Sequence, residues 1–318
     1  MGSGRLSASE SRIYQAILNA MGPVIRDLIS DDRVIEIMLN PDGSLWVEKI
    51  SEGMGLVQKD FSKSDAETLI RLVSSRCGFV CNDKSPSLSC IIPVSNARFQ
   101  AFVSPAVDSP SFSIRKRATQ IFTFDDYVDS GIMTEFQKDY LSKAVQERKN
   151  ILVVGGTGTG KTTLVNAILH EIAKTEDRIV TIEDTAELQC SSENKVQLYC
   201  NASAGFTMQK AVCEVMRFRP DRIVVGEVRD GSALDLLKAW NTGHKGGVST
   251  VHANSARLGL RRIESLISEV SVNIPRDLIS ESINILISIK RELNKRFISE
   301  VIEVSGLKDG EYQIRQVN

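Results

Sequence analysis

One short segment, GGTGTGKT at positions 155–162, constrains this chain more than any other feature of its sequence. It matches the pattern GxxxxGK[ST], it directly follows the apolar run ILVV, and it directly precedes a helical pattern. Glycines in such a turn let successive backbone N–H groups converge on phosphate oxygens, and the start of the next helix adds its positive dipole end. The segment therefore predicts a strand, a phosphate-binding loop and a helix.

Two side chains of this loop are predicted to act on a nucleotide. Lys161 should reach the β- and γ-phosphates, and the Thr162 hydroxyl should bind Mg²⁺. ATP and Mg²⁺ are therefore the predicted cofactors. The complete set of predicted nucleotide-binding residues is Gly155, Gly156, Thr157, Gly158, Thr159, Gly160, Lys161, Thr162 and Thr163. The loop alone would equally serve a kinase, a GTPase or a motor, so the acidic groups must distinguish them.

Two predicted strands end in carboxylates, at the edge where parallel sheets place their chemistry. RIVVGE ends in Glu227, which is predicted to polarise the attacking water as a general base or through an ordered water, and to contact Mg²⁺ through water. Gly226 stands where an aspartate is more common. RIVTIE ends in Glu183, a second catalytic candidate, although the Asp184 that follows could simply cap a turn.

Histidines are few, and two of the three lie close together in the sequence. His252 ends the predicted strand GVSTVH and is expected to hydrogen-bond a γ-phosphate or water and to report its loss. His244 is either functional or an ordinary loop histidine. His170, inside the helix after the phosphate loop, is interpreted as structural.

The periodicity of the chain changes between its two halves. Residues 1–117 predict an α+β domain with a mainly antiparallel sheet, including a helix over 12–30 and a helix that opens with a capping box at Ser64. Residues 118–135 lose periodicity and predict a linker with a short helix. Over 136–318 strands alternate with helices, which predicts an α/β domain with a mostly parallel sheet. The last three strands carry no predicted chemistry.

Composition limits the classes of function. A formal charge of −1 gives no electrostatic footprint for nucleic acid, so direct nucleic-acid binding is not expected. No apolar run approaches the roughly 18–20 residues of a membrane helix, which favours a cytoplasmic protein that reaches the inner membrane through partners. The six cysteines contain no CxxC pair, which argues against a zinc site or a redox pair.

Four segments in order resemble the secretion and conjugation traffic ATPases, most closely the TrbB-type conjugal-transfer ATPases of type IV secretion systems. They are GGTGTGKTT, RIVTIEDTAEL, MRFRPDRIVVGEVR and GHKGGVSTVHANSA. The first domain is also similar to that family through EIMLNPDGSLWVE, the ARF strand and SFSIRK. The resemblance therefore covers nearly the whole chain.

The resemblance implies a RecA-like ATPase domain after a smaller α+β domain, a homo-hexameric ring, and partners among the inner-membrane components of a secretion or conjugation apparatus. It also implies arginines that stabilise the phosphates: Arg98 and Arg115 in the first domain, and Arg217 and Arg219 before Glu227. Which of them act within one subunit stays open. The runner-up within this class is a tight-adherence pilus ATPase. A nucleic-acid motor is less consistent with the net charge of −1. A non-hydrolysing scaffold is less consistent with the presence of both Glu227 and Glu183.

Overall fold

The computed structural model describes residues 8–50, 52–92, 95, 97–116, 121–202, 205–292 and 295–317, with side chains from Arg12 onward. The chain separates into two compact units, Met1–Thr119 and Gln120–Asn318. Among the helices of the described ranges, none combines the length and apolar character needed to cross a membrane.

The first unit is a six-stranded sheet with two helices. Neighbouring strands pair antiparallel in the order β3-β2-β1-β6-β5-β4. This confirms the predicted α+β class. The elements are α1 (Ala8–Ser30), β1 (Val34–Leu39), β2 (Leu45–Lys49), β3 (Gly53–Gln58), α2 (Lys63–Arg76), β4 (Ser87–Ile92), β5 (Ala97–Phe102) and β6 (Ser111–Arg115).

The core of this unit follows from the two periodicities of its sequence. Ile17, Met21 and Ile25 recur every four residues along α1 and are buried, and they belong to one cluster with inward-facing strand residues such as Phe99 and Ile114. Side chains that alternate with these along β5 and β6 are more exposed. One face of the sheet is therefore covered and the other is more polar.

Two local predictions in this unit need correction. The predicted capping box at Ser64 is wrong, because Ser62 is the N-cap: its side chain accepts a hydrogen bond from the backbone N–H of Asp65, and Ser64 already lies in the first turn. The predicted continuous helix over 12–30 is interrupted at Gly22, whose backbone is non-helical directly before Pro23.

The second unit is an eight-stranded sheet in the order β14-β13-β12-β7-β11-β10-β8-β9. The six strands from β12 to β9 are parallel, and β13 and β14 continue antiparallel. The mostly parallel sheet is confirmed. The elements are α3 (Phe124–Asp129), α4 (Glu135–Gln146), β7 (Ile151–Val154), α5 (Lys161–Ile172), β8 (Ile179–Glu183), β9 (Lys195–Tyr199), α6 (Met208–Val215), β10 (Arg222–Val225), α7 (Ser232–Asn241), β11 (Val248–Val251), α8 (Ala256–Ser268), α9 (Arg276–Ser282), β12 (Ile285–Glu292), β13 (Lys295–Lys308) and β14 (Glu311–Val317).

The predicted linker extends too far along the chain. Phe124, Tyr127 and Met133 are buried in one cluster with residues of β7 and α5, so the segment from α3 onward is part of the second unit. Thr123 caps α3 in a reciprocal capping box with Asp126, which fixes the start of this helix. Residues 118–120 of the predicted linker lie outside the described residues.

Candidate functional site

The phosphate loop joins β7 to α5, as the motif predicts. All four residues of β7 are buried, and α5 begins at Lys161. Gly160, directly before the helix, has a φ of 101°, a left-handed conformation that favours glycine. The Thr159 hydroxyl donates to the Gly156 carbonyl at 3.0 Å and closes the turn. The sequence therefore builds a helix N-terminus with converging backbone donors.

The Lys161 ammonium group lies inside this turn. Nζ is 3.0 Å from the Gly155 carbonyl oxygen and 2.8 Å from that of Gly156. Its third contact is Nδ1 of His252, at 3.3 Å. Since an ammonium has three donors and no acceptor, Nδ1 of His252 is the acceptor in this contact.

His252 connects the lysine to the strand-end carboxylate. Its Nε2 lies 2.8 Å from Oε1 of Glu227. With Nδ1 accepting from Lys161, the proton of the neutral ring is on Nε2, the nitrogen that lies beside Glu227. Burial and the positive charge of Lys161 lower the pKa of His252, which favours this neutral form. The structure thus brings together three residues that the sequence predicted.

Glu227 is held on its other oxygen by Arg229. Nε and Nη2 of that arginine lie 2.9 and 2.6 Å from Oε2. Hydrogen bonding to this carboxylate raises the pKa of Arg229. The Glu227 side chain is largely buried, and the two hydrogen bonds from Arg229 fix its orientation. Arg229 was not among the predicted site residues.

Glu183 is buried at the carboxyl end of β8, and its contacts are to the backbone. Oε2 accepts hydrogen bonds from the N–H groups of Glu187 and Leu188, each at 2.8 Å. The loop fixed in this way places Oε2 of Glu187 3.3 Å from the Thr162 hydroxyl. Glu187 is thus the carboxylate that approaches the phosphate loop, and sequence analysis missed it.

The close approach of β8 and β10 accounts for Gly226 in place of the common aspartate. A Cβ atom at position 226 would stand 3.2 Å from Cβ of Glu183. A larger residue would therefore displace the carboxylate that organises the 184–188 loop. The glycine leaves room for Glu183, and the acidic group at this edge comes from the next residue, Glu227.

Two of the four predicted arginines lie at the opposite edge of the sheet from Glu227. Arg217 and Arg219 are exposed and precede β10, whereas Glu227 follows its carboxyl end. The turn that carries them is fixed at the amino edge, where Arg178 lies over the Phe218 ring at 5.4 Å and donates to the Phe218 carbonyl. A four-residue strand separates the two edges by about 13 Å.

Arg98 and Arg115 belong to the first unit. They are direct partners across β5 and β6, so both side chains project from the same face of that sheet. Arg98 is half-buried and Arg115 is exposed. Like charges directly opposite each other in a sheet are destabilising, and Glu36, which faces Arg115 from β1, opposes that repulsion from the other side.

His244 and His170 do not join the site. His244 precedes β11, at the amino edge, and its Nδ1 lies 2.8 Å from the Pro220 carbonyl oxygen. His170 is in the last turn of α5, away from the phosphate loop at its start. His244 is thus better interpreted as an ordinary loop histidine, and His170 as a structural one.

Comparison with known proteins gives the same family that the sequence resembles. The family described as "Type II/IV secretion system protein" matches residues 83–308. The chain is 42% identical over 307 residues to "Conjugal transfer protein TrbB" of Rhizobium radiobacter, a match that covers 96% of this chain and 94% of the relative. It is 29% identical over 330 residues to "Type IV secretion system protein VirB11" of Bartonella henselae, covering 90% and 92%.

Among solved structures, the Legionella pneumophila ATPase DotB superposes with a TM-score of 0.63 at 18% identity, covering 87% of this chain and 79% of that one. At that identity the likeness shows the fold alone. The sequence relatives confirm the resemblance to TrbB-type proteins and the prediction of an ATPase. The chain belongs to the type II/IV secretion system protein family.

Proposed function

We propose that this chain hydrolyses ATP at the carboxyl edge of its eight-stranded sheet, and that hydrolysis powers translocation or pilus biogenesis by a type IV secretion or conjugal-transfer system. The observation that carries the proposal is the continuous contact from Lys161 through His252 to Glu227. It links a phosphate-binding cation to a buried strand-end carboxylate through a titratable ring.

Lys161 is the group that changes partners when phosphate binds. Its ammonium donates to the Gly155 and Gly156 carbonyls and to His252. A β- or γ-phosphate oxygen is a stronger acceptor than a neutral carbonyl, since both partners are then charged. Redirecting Lys161 toward phosphate weakens its contact with His252, so the imidazole responds to nucleotide state.

Glu227 is the proposed acceptor of the proton from the attacking water. Arg229 donates two hydrogen bonds to Oε2 and orients the carboxylate, and the imidazole of His252 lies 2.8 Å from Oε1. A positioned general base of this kind contributes about 10²–10⁴-fold in rate. We propose that Glu183 acts indirectly, because both of its described hydrogen bonds hold the 184–188 loop.

Two oxygen donors fit a magnesium ion beside the loop. The Thr162 hydroxyl and the Glu187 carboxylate converge to 3.3 Å, and hydroxyl and carboxylate oxygens are ligands that Mg²⁺ takes. When bound, the ion would neutralise charge on the β- and γ-phosphate oxygens. Glu187 would thus coordinate the ion directly together with Thr162, whereas the sequence predicted direct coordination by Thr162 and a contact through water by Glu227.

A ring of identical subunits is proposed because two arginines lie at the wrong edge to serve their own site. Arg217 and Arg219 are exposed at the amino edge, about 13 Å from the edge that carries Glu227. In a homo-hexamer with head-to-tail contacts, that edge of one subunit can face the phosphate loop of the next. Arg98 and Arg115 remain proposed phosphate contacts. We further propose that the ring is cytoplasmic and docks on inner-membrane components.

The test is phosphate release by the purified chain across a concentration series, with particle mass from light scattering. Lys161→Ala should lose ADP binding and turnover. Glu227→Gln should keep ADP binding and lose about 10²–10⁴-fold in turnover. Glu214→Gln, an exposed carboxylate on α6, is the matched control and should behave as the wild type.

Turnover that survives Glu227→Gln would overturn the catalytic assignment, and turnover independent of assembly would overturn the ring. The role in conjugal transfer or pilus biogenesis is tested in a donor strain from which the gene for this chain has been deleted. Wild type, but not Glu227→Gln, should restore DNA transfer if the apparatus is a conjugal one. Restored piliation without DNA transfer would favour the pilus alternative.

A further inference from the structure

The β12–β13 hairpin brings an arginine onto the phosphate loop. Cδ and Nε of Arg296 lie 3.3 and 3.5 Å from the point where a Cβ atom on Gly160 would stand. The space that Gly160 leaves by having no side chain is therefore occupied by Arg296. Gly160 directly precedes Lys161, the first residue of α5, so this contact is at the helix N-terminus that receives phosphate.

The position of Arg296 is fixed by strands of the same unit as the loop. β12 pairs in parallel with β7, the strand that leads into the loop. Arg296 is on β13, where it lies opposite Arg291 of β12. The backbone N–H of Ile298, two residues further, donates to the Ile132 carbonyl at 2.9 Å. The arginine is thus half-buried on a strand held from both sides.

This end of the hairpin is strongly basic. Within the described residues 290–292 and 295–296, four side chains are cationic and one is anionic: Lys290, Arg291, Lys295 and Arg296 against Glu292. Cations gathered at the mouth of a site attract an anionic ligand. Burial raises the pKa of the neighbouring Tyr127, and the positive charge of Arg296 opposes that rise, so the charge acts within the interior of this unit.

We propose that Arg296 binds the phosphate chain of the nucleotide in its own subunit. It supplies within one chain the guanidinium that Arg217 and Arg219, at the opposite sheet edge, cannot supply there. An arginine presents several N–H donors in a rigid fork that matches phosphate oxygens. The inference rests on the proposed nucleotide site and assigns a role to C-terminal strands for which the sequence indicated none.

The test separates the contribution of the Arg296 charge to ligand binding from that of its apolar stem, in the full-length chain. Arg296→Met keeps most of the apolar stem and removes the charge, whereas Arg296→Lys keeps both the stem and a charge. Lys308→Met makes the same change in net charge at the exposed far end of β13, away from the phosphate loop, and is the matched control. The probes are ADP with Mg²⁺ and pyrophosphate with Mg²⁺, with dissociation constants from calorimetry. Thermal unfolding without ligand checks the fold of each variant.

Loss of a charge-assisted contact should raise the dissociation constants of ADP and of pyrophosphate about 10–100-fold in Arg296→Met. Arg296→Lys should recover most of that loss, and Lys308→Met should stay within about 2-fold of wild type. If Arg296→Met misfolds, the comparison of Arg296→Lys and Arg296→Gln replaces it.

Wild-type affinity in Arg296→Met would overturn the inference and leave the proposed function intact. Weakened ADP with unchanged pyrophosphate would place the contact on the nucleoside and also overturn it. A wild-type chain that binds neither probe would instead contradict the proposed function itself.

Discussion

One imidazole sits between the phosphate-binding lysine and the strand-end carboxylate. Lys161 donates to Nδ1 of His252, and Nε2 lies 2.8 Å from Oε1 of Glu227, so protonation of the ring removes the acceptor that the lysine uses. The neutral ring therefore couples the positions of the two catalytic groups. This arrangement gives a signal that can be followed without any ligand.

We expect His252 to titrate below its ordinary pKa of 6.5. Burial lowers its pKa, the charges of Lys161, Arg229 and Arg262 lower it further, and Glu227 opposes them. Because the folded-state pKa is depressed, the stability from the neutral ring is present above pH 6.5 and is lost as pH falls through the folded value. Imidazole NMR is the measurement, since the chain has three histidines.

Two variants test the causes of that shift with opposite signs. Lys161→Met removes a neighbouring positive charge and should raise the pKa of His252. Glu227→Gln removes the neighbouring negative charge and should lower it. His170 and His244 serve as internal controls in each spectrum. A pKa of His252 that moves in the same direction in both variants would contradict the contact geometry.

A second residue-scale prediction concerns the thiols of the first unit. A hydrogen bond from Cys90 lowers the pKa of Cys77 to about 7, whereas burial raises the pKa of the more exposed Cys213. Because the thiolate is the reactive form, Cys77 should alkylate faster than Cys213 at pH 7, by about 10-fold, and its rate should rise through pH 7. Peptide mass spectrometry after iodoacetamide pulses measures both rates.

The role of Cys90 is separated by two substitutions. Cys90→Ser keeps a hydrogen-bond donor and should preserve the reactivity of Cys77 at pH 7. Cys90→Ala removes the donor and should slow alkylation of Cys77. Equal rates in the two variants would show that Cys77 owes nothing to this hydrogen bond.

At the same scale, the residues that sequence predicted are those whose role follows from local order. The phosphate loop, Glu227 and His252 each follow a buried strand directly, so strand patterns place them at one edge. Glu187 and Arg296 become visible only when separate segments meet: Glu187 through the two backbone bonds to Glu183, and Arg296 through the pairing of β12 with β7. No spacing in the sequence encodes those contacts.

At the scale of elements, the two edges of the sheet have different tasks. The carboxyl edge carries the proposed nucleotide site, and the amino edge carries an ion network centred on the buried Asp177. That carboxylate accepts from Nε of Arg222 at 2.6 Å and is paired with Arg148. Arg222 also donates to the Val145 carbonyl at 2.9 Å, which ties β10 to the end of α4.

We expect Asp177→Ala to destabilise the second unit strongly. Burial acts to raise the pKa of Asp177, but the hydrogen bond and charge of Arg222 hold it below its usual value, so the pair is ionised. Removing the carboxylate leaves the fully buried Arg222 without its counter-ion, at a cost of about 3–5 kcal/mol in the free energy of unfolding. Urea titration followed by tryptophan fluorescence reports it, since Trp240 is buried in this unit.

The control is an ion pair that, unlike Asp177 and Arg222, has one exposed side chain. Lys174→Ala removes a surface contact to Glu171 and should cost no more than about 1 kcal/mol. A similar loss in both variants would mean that burial does not decide the cost. Asp177→Asn, which keeps an acceptor oxygen, should fall between them.

Elements that sequence missed share a physical cause. β3 and β9 are edge strands with exposed or half-exposed residues, so they show neither an apolar run nor clean alternation. Buried strands such as β7 and β10 were predicted because a parallel strand covered on both faces is apolar throughout. The predicted linker is too long because α3 has only six residues, which is too short to show a clear helical periodicity in the sequence.

At the scale of the whole molecule, the proposed phosphate contacts of one subunit lie at two opposite edges of its sheet. Lys161, Glu227 and, by inference, Arg296 lie at the carboxyl edge, while Arg217 and Arg219 are exposed at the amino edge. A head-to-tail ring places opposite edges of neighbouring subunits together. In the proposed ring, hydrolysis would depend on the position of the neighbouring subunit, and such a dependence couples turnover to movement in a motor.

That dependence predicts that two inactive variants restore each other when mixed. Arg219→Ala keeps an intact phosphate loop but lacks the arginine for its neighbour, and Lys161→Ala keeps the arginine but lacks a working loop. In a randomly mixed ring, about a quarter of the boundaries pair an intact loop with an intact arginine, so phosphate release should recover to about that fraction of wild type. Mixing Lys161→Ala with Glu227→Gln is the control and should recover nothing, because both lesions lie in the same site. No recovery in the Arg219→Ala mixture, with light scattering showing mixed particles, would mean that Arg219 serves its own subunit or has no catalytic role.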